Sequence, residues 1–481
     1  MWQVYDLGRE AGTPHSLGDT PLDPNLVDWS PDDPERPMNW PSRTIWANLA
    51  IISFFRLLTP LASSMIAPAT ALVLHDFHSA DQSLGSFVVS IFVLGYALGP
   101  LAWAPLSEIY GRLPVYHISN ILFTCWNIGC ALAPNLPSLL VFRLLAGMAG
   151  SCPVTVGSGS ITDCIPKERR GKATAIFTVG PLLGPVLGPV IGGFLSEARG
   201  WRSVFWFIAI ASAICALISF LVQRETYEPV LLERRAKRLR AVSGNSNIHH
   251  RRSAALPRSA VFSRAILRPL VMLVKSPIVL LTSFYVGLVY GYSYLLFTSF
   301  SALFTHTHGF SASTVGLTYL GFGCGCAIGL LIVGTVSDKM TRHAAAGVDW
   351  KPEARLRPLI PGSLIVPIGL LWYGWSAQAR LHWIMPIIGS ALVGLGTVAV
   401  VMPVQTYLID AFPLHAASVS AANTIFRSLL GAFLPLIGPR MYATLGQGWG
   451  NTLLAVVAVV FTPLTWTMVR RGEDLRRRWP V

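Results

Sequence analysis

Runs of about twenty apolar residues recur along this chain from residue 45 to residue 469, and nothing else constrains its fold as strongly. A helix needs about 20 such residues to cross the roughly 30 Å hydrocarbon layer of a bilayer. Inside that layer the backbone has no water to bond, so a spanning segment must satisfy its own polar groups, as a helix does. The runs are Ile45–Leu74, Leu84–Ala104, Val115–Ala133, Leu139–Ile161, Ala173–Leu195 and Val204–Val222, then Ile278–Leu303, Val315–Val336, Leu359–Ala377, Ile384–Leu408, Val419–Gly438 and Leu453–Val469. They predict an all-α membrane protein with about twelve transmembrane helices in two pseudo-symmetric six-helix bundles. Composition agrees: only 12% of the 481 residues are charged, against about 25% in soluble domains.

The formal charge of +14 does not point to nucleic acid, because the Lys and Arg sit in short loops between apolar runs. Thirty of the thirty-seven fall in the two termini and in every second loop. Cytoplasmic loops carry that excess, so both termini are expected in the cytoplasm, with the plasma membrane as the location. The opposite loops hold Arg199, Arg202, Arg380 and Arg440, and Arg56, Arg143 and Arg427 lie within spans. Residues 1–43 are a polar tail without the pattern of a cleaved signal peptide. Residues 44–223 form the first bundle, 224–276 a basic linker, 277–470 the second bundle and 471–481 a second tail. The linker (Arg234-Arg235-Ala-Lys-Arg, His249-His250) reads as solvated, or as drawn to anionic lipid. The seven cysteines lie in or beside apolar runs and lack metal-site spacing. No enzyme constellation, metal site or cofactor motif is present.

Matched halves suggest an internal repeat. Pro105-Leu-Ser-Glu108-Ile-Tyr-Gly111-Arg112 follows span 2, and Gly334-Thr-Val-Ser-Asp338-Lys339 follows span 8. The first of these resembles the signature loop of the major facilitator superfamily, with Glu108 as its acid and Gly111-Arg112 as its Gly-Arg pair. Ala104, Ile109 and Leu113 depart from that pattern. In the superfamily such charges latch the two halves in one state. The resemblance therefore implies a conformational latch of Glu108, Gly111, Arg112, Asp163, Asp338 and Lys339, with Glu108, Arg112 and Asp163 paired to one another.

Span 4 holds Arg143 in Leu140-Val-Phe-Arg143-Leu-Leu-Ala-Gly147, similar to the family's span-4 arginine motif, although Ala146 replaces its glutamine. The resemblance implies proton coupling through Arg143; a guanidinium snorkelling to the interface is the other reading. Span 5 carries Gly184-Pro185-Val-Leu-Gly188-Pro189-Val-Ile-Gly192-Gly193. Glycine at every fourth residue makes a groove along one helix face, and proline bends the helix. This run resembles the antiporter motif of drug:proton exchangers. It implies a seam that slides against the opposite bundle, while simple helix packing would use the same glycines. Asp33-Pro34-Glu35-Arg-Pro37-Met-Asn39-Trp40-Pro41 and Ala421-Ala-Asn423-Thr-Ile-Phe-Arg427 resemble the fungal twelve-span branch of that family.

No carboxylate lies deep in any span, and Thr298 stands where relatives of the polyamine and drug group often carry an acid. Recognition of a polyamine, which needs anionic partners, is therefore disfavoured. Tyr290, Tyr294, Gln405, Asn423 and Arg427 are the candidate lining of a substrate cavity, although aromatics in a membrane helix more often serve packing or anchor it at the interface. The expected function is proton-coupled efflux of small organic molecules (drugs, toxins or secondary metabolites) by alternating access. The alternative is a nutrient symporter or facilitator on the same fold. The expected partners are a small-molecule substrate, protons and the lipid bilayer, and the expected assembly is a monomer.

Overall fold

A computed structural model of the chain describes residues 25–30, 32–166, 170–250, 258–345, 352–412 and 415–479. Sixteen α-helices run through these residues. The first half contains α1 (Ser42–Ser64), α2 (Thr70–Asp76), α3 (Gln82–Tyr110), α4 (Arg112–Ala131), α5 (Leu136–Gly150), α6 (Cys152–Cys164), α7 (Arg170–Arg199) and α8 (Arg202–Val222). Next come α9 (Glu228–Ser243) and α10 (Arg258–Lys275) of the linker. The second half contains α11 (Pro277–His308), α12 (Ala312–Ala345), α13 (Leu359–Gln378), α14 (Ile384–Ala411), α15 (Ala416–Val460) and α16 (Thr462–Arg478). Strands are confined, among the described residues, to a two-residue parallel pair, β1 (Leu26–Val27) with β2 (His249–His250).

Ten segments are long and apolar enough to cross a membrane, where the sequence predicts about twelve. Two facts account for the difference. The last segment, Ser418–Arg478, has 61 residues, a helix of about 90 Å at 1.5 Å per residue, three times the hydrocarbon thickness. It folds back at Gly446, whose φ of 73° interrupts the helix. Across that bend the Tyr442 hydroxyl reaches Asn451 Oδ1 at 3.3 Å, which nine residues of straight helix would not allow. The other fact is α4, twenty residues long, in which Arg112, His117, Asn120 and Asn127 dilute the apolar run.

The packing repeats between halves. Span 1 lies on span 5 (α1 on α7) as span 7 lies on span 11 (α11 on α15). Likewise α3 packs on α5 as α12 on α14, α4 on α5 as α13 on α14, and α4 on α8 as α13 on the returning arm of α15. The two bundles meet along two seams, α3 against α15 and α7 against α12.

Short caps hold the loops at the end opposite the basic ones. The Asp81 carboxylate accepts the Ser83 N–H at 2.8 Å, and Asn135 and Ser138 cap each other reciprocally, the pattern that satisfies orphan N–H groups of a first turn.

The linker is more ordered than its composition suggests. Helix α9 lays Leu232 and Ala236 against Val27 of the N-terminal tail. Arg235 pairs with Asp33 and stacks over Trp29. The Arg235 hydrogen bond, then the Glu35 N–H, hold the Asp33 carboxyl below the usual carboxylate range. This clasp is therefore complete at neutral pH and weakens only as pH falls through that lowered value.

Candidate functional site

At the basic end, α3 stops at Gly111, whose φ of 98° only glycine adopts without strain. Any Cβ there would also lie 2.4 Å from Glu225 Oε2. The Glu225 carboxylate accepts the Arg112 and Leu113 N–H groups at 2.9 and 3.1 Å. It caps the positive N-terminus of α4, a natural anion position. Arg112 then reaches Asp163 Oδ2 at 3.3 Å and Ser107 Oγ at 2.8 Å, with its guanidinium over the Tyr227 ring.

The expected Arg112–Asp163 pair is present; the expected role of Glu108 in it is not. Glu108 is exposed and forms no ion pair among the described residues. Neighbouring residues on a helix point about 100° apart, so burying Ser107 beneath Arg112 turns Glu108 outward. Glu225 supplies the second carboxylate. The second half has a comparable pair, Arg355 Nε with Asp410 Oδ2 at 2.8 Å. The side chains of Asp338 and Lys339 lie outside the described residues. Glu225→Ala should therefore impair transport far more than Glu108→Ala at equal surface expression, since it leaves two N–H groups of α4 without an acceptor, about 1–3 kcal/mol each. A dye-efflux comparison of the two variants checks this.

Arg143 is fully buried. Its Nε donates to Val88 O (2.9 Å), Nη1 to Ala62 O (2.8 Å), and Nη2 to Ser63 O (2.9 Å) and Val89 O (3.3 Å). Phe92 covers the guanidinium at 4.8 Å. Ala62 and Ser63 belong to the last turn of α1, where helix carbonyls lack partners and the dipole favours a cation. Arg143 thus ties α5 to the end of α1 and to α3, and does not snorkel to an interface. Ser63 Oγ shares a 2.9 Å hydrogen bond with the hydroxyl of Tyr294 in α11, which links this knot to the other half.

Gly184, Gly188 and Gly192 of span 5 face their own bundle rather than the opposite one. A Cβ at Gly184 would lie 2.8 Å from Leu61 N, at Gly188 2.5 Å from Ser64 Oγ and 2.7 Å from Leu61 O, and at Gly192 1.8 Å from Met65 O, all in α1 or just past its end. Pro60 lies inside α1 and packs on this face, its Cβ 2.8 Å from one built at Gly184, and α1 ends at Ser64. Contact with the second half falls to the adjoining face. A Cβ at Gly193 would meet Ala312 O of α12 at 2.4 Å, and one at Gly316 would meet Pro189 O at 2.4 Å. Nearby, Glu197 accepts the Ser313 N–H at 2.9 Å. Pro185 and Pro189 lie inside α7.

Within the second bundle, Asn423 of α15 donates to Gln405 Oε1 of α14 at 2.9 Å, and Gln405 to Ser420 Oγ at 3.2 Å. The Tyr290 and Tyr294 rings meet at a tilt of 46° with centroids 5.0 Å apart, and Arg427 lies 4.8 Å over the Tyr290 ring. The structure adds Arg56 and Tyr96 to this predicted group. Arg56 of α1 rests 3.7 Å over the Phe177 ring, and its Nε and the Tyr96 hydroxyl of α3 are buried without a hydrogen-bond partner among the described residues. An arginine in mid-span was the available signal for Arg56. A separate cleft of about 670 Å³ opens at the far end beside Asp76, Glu197 and Arg202; its charges are largely spoken for, Arg202 pairing with Asp76.

Two repeated six-span bundles, with a polar, arginine-bearing region between them, define an integral membrane transporter. The family model of the Major Facilitator Superfamily matches residues 52–435, and the chain belongs to that superfamily. It is 51% identical over 453 residues to "MFS transporter cpaT" of Aspergillus oryzae, covering 94% of this chain and 91% of the relative. It is 50% identical to "MFS-type transporter penM" of Penicillium rubens, covering 94% and 90%. Among solved structures, the D-xylose-proton symporter matches with a TM-score of 0.67 at 16% identity, covering 88% of this chain and 97% of that one. An inward-facing bacterial homologue of the human lysosomal transporter Spinster matches at 0.64 and 17%, covering 91% and 98%. At those identities the two structures speak for the fold.

Proposed function

We propose that this chain is a proton-coupled efflux transporter of small organic molecules, working as a monomer in the plasma membrane with both termini in the cytoplasm. The observation that carries the reading is α7. Its glycines bring two backbones of the first bundle together, while its adjoining face closes the far end against α12. A helix shared between the rigid interior of one bundle and the moving seam is suited to alternating access, in which one bundle rocks against the other. The Arg112–Asp163–Glu225 cluster, which ties the first bundle to the start of the linker, is the first bundle's side of the conformational latch at the basic end, with Gly111 as its turn. Arg143 joins coupling through its knot, because the Ser63–Tyr294 bond breaks when the halves part. Proton entry supplies about 2.3 kcal/mol per charge per 100 mV of membrane potential.

The test is accumulation of a panel of labelled drugs and toxins in cells expressing the chain, normalised to surface protein, with and without a protonophore. Lower accumulation that the protonophore abolishes supports the reading. Indifference to the protonophore favours a facilitator, and increased accumulation favours an importer. Tags on residues 1 and 481 should react only after permeabilisation; labelling of either on intact cells overturns the orientation.

A further inference from the structure

Three arginines lie within spans, and the structure divides them sharply. Arg143 has four carbonyl acceptors. Arg56 and Arg427 donate to no described residue, and the Nε of each is buried without a partner. Each rests one face on an aromatic ring, Arg56 at 3.7 Å from the centroid of Phe177 and Arg427 at 4.8 Å from that of Tyr290. Stacking of this kind supplies part of the missing interaction and leaves the N–H edges free to donate. The two guanidiniums come from opposite bundles, and the ring under Arg427 lies at the seam with α3: a Cβ at Gly431 would meet the Tyr290 ring at 2.9 Å and Val93, one turn from Tyr96, at 3.3 Å. The Tyr96 hydroxyl lies beside Thr59, without a well-formed hydrogen bond. No Asp or Glu lies between the ends of any span.

Intramembrane cations ordinarily pair with an anion or with carbonyls. Arg143 does so; among the described residues Arg56 and Arg427 have neither. A carboxylate accepts the forked guanidinium edge bidentately and neutralises charge that the protein itself leaves uncompensated. The flanking Phe177, Tyr290 and Tyr294 suit an apolar or planar body attached to that group.

We propose that the transported molecule is an organic anion, a carboxylate or an acid of similar charge on an apolar body, held between Arg56 and Arg427 with the Tyr96 hydroxyl as a third donor. The grip spans both bundles, so the anion's arrival draws the halves together. This deepens the transporter reading above and rests on it for the site being a substrate site.

The test is binding to the purified full chain in detergent, which reads the site irrespective of transport direction or proton coupling. The probes are benzoate, decanoate and 1-naphthoate, with 1-naphthamide and 1-naphthylmethylammonium as neutral and cationic matches of the last. Thermal shift and tryptophan quenching give the dissociation constants. At least one carboxylate should bind saturably, and the naphthoate more tightly than its amide or ammonium counterpart. Arg56→Gln and Arg427→Gln should each weaken carboxylate binding by about tenfold or more, as expected for losing a hydrogen bond to a charged group. The double variant should lose little beyond the singles, since both grip one group. Arg56→Lys and Arg427→Lys, which keep the charge, should retain part of the affinity and guard against misfolding. Equal binding of the three naphthyl probes, undiminished carboxylate binding in both Gln variants, or no binding by any carboxylate would overturn the proposal. Anion binding without proton coupling would instead leave this site standing and remove the antiporter mechanism.

Discussion

Arg143→Ala is expected to strip most of the folded protein from the membrane, measured as the monodisperse peak of a fluorescently tagged chain on size exclusion. The guanidinium satisfies carbonyls at the end of α1 and spans the contact to α3. Each buried carbonyl left without a donor costs about 1–3 kcal/mol, and the vacated volume adds about 2–5 kcal/mol as for other large-to-small core changes. Together these approach the whole margin of about 5–15 kcal/mol by which proteins of ordinary stability are folded. Arg143→Lys should recover part of the peak, because an ammonium keeps the charge and three donors but lacks the fork that reaches two helices at once. A wild-type peak for Arg143→Ala combined with lost transport would assign the residue to proton movement rather than to the knot.

The second large effect separates two neighbouring glycines. Gly192→Ala places a methyl 1.8 Å from Met65 O, against backbone of the same bundle. Gly193→Ala places one 2.4 Å from Ala312 O, against the other bundle. Overpacking costs about 1–3 kcal/mol and more where backbone is the obstacle. Gly192→Ala should therefore lower the melting temperature and surface level together, with transport falling in proportion. Gly193→Ala should keep the protein folded, because the bundles relieve the clash by parting at the far end. Its normalised efflux should fall severely, and a cysteine at Ser311 should become more accessible to a water-soluble thiol reagent. Proportional losses in both variants would make this face of α7 packing alone. The same geometry places Gly188 with Gly192: its Cβ would press on Ser64 and Leu61, so its replacement by alanine acts on stability rather than on a sliding surface.

The spans and the repeat were readable because lipid forces each crossing into about twenty apolar residues, a constraint local to the sequence. The Gly111-Arg112 turn and its Asp163 partner were legible through the resemblance of the loop after span 2 to the superfamily's signature loop. What escaped was non-local. Glu225 lies 113 residues from Arg112, in a stretch with no pattern of its own. The partners of Arg143 are backbone carbonyls, which no side-chain type announces. Which bundle the span-5 glycines face depends on where α1 packs and where it ends, at Ser64, and helical periodicity gives a face without a direction. The fold-back at Gly446 was predicted as a gap between two spans, yet its backbone remains helical almost up to the bend.

Proton antiport is the central claim, and reconstitution tests it most directly. Purified protein in liposomes enclosing a pH-sensitive dye, with the membrane potential clamped by potassium and valinomycin, is loaded with a transported solute and diluted into solute-free buffer. Solute leaving in exchange for protons should acidify the lumen, at a rate that follows protein content and is missing from protein-free liposomes. A lumen that turns alkaline as solute leaves, or that holds its pH, would contradict the account, the first showing symport and the second facilitated diffusion.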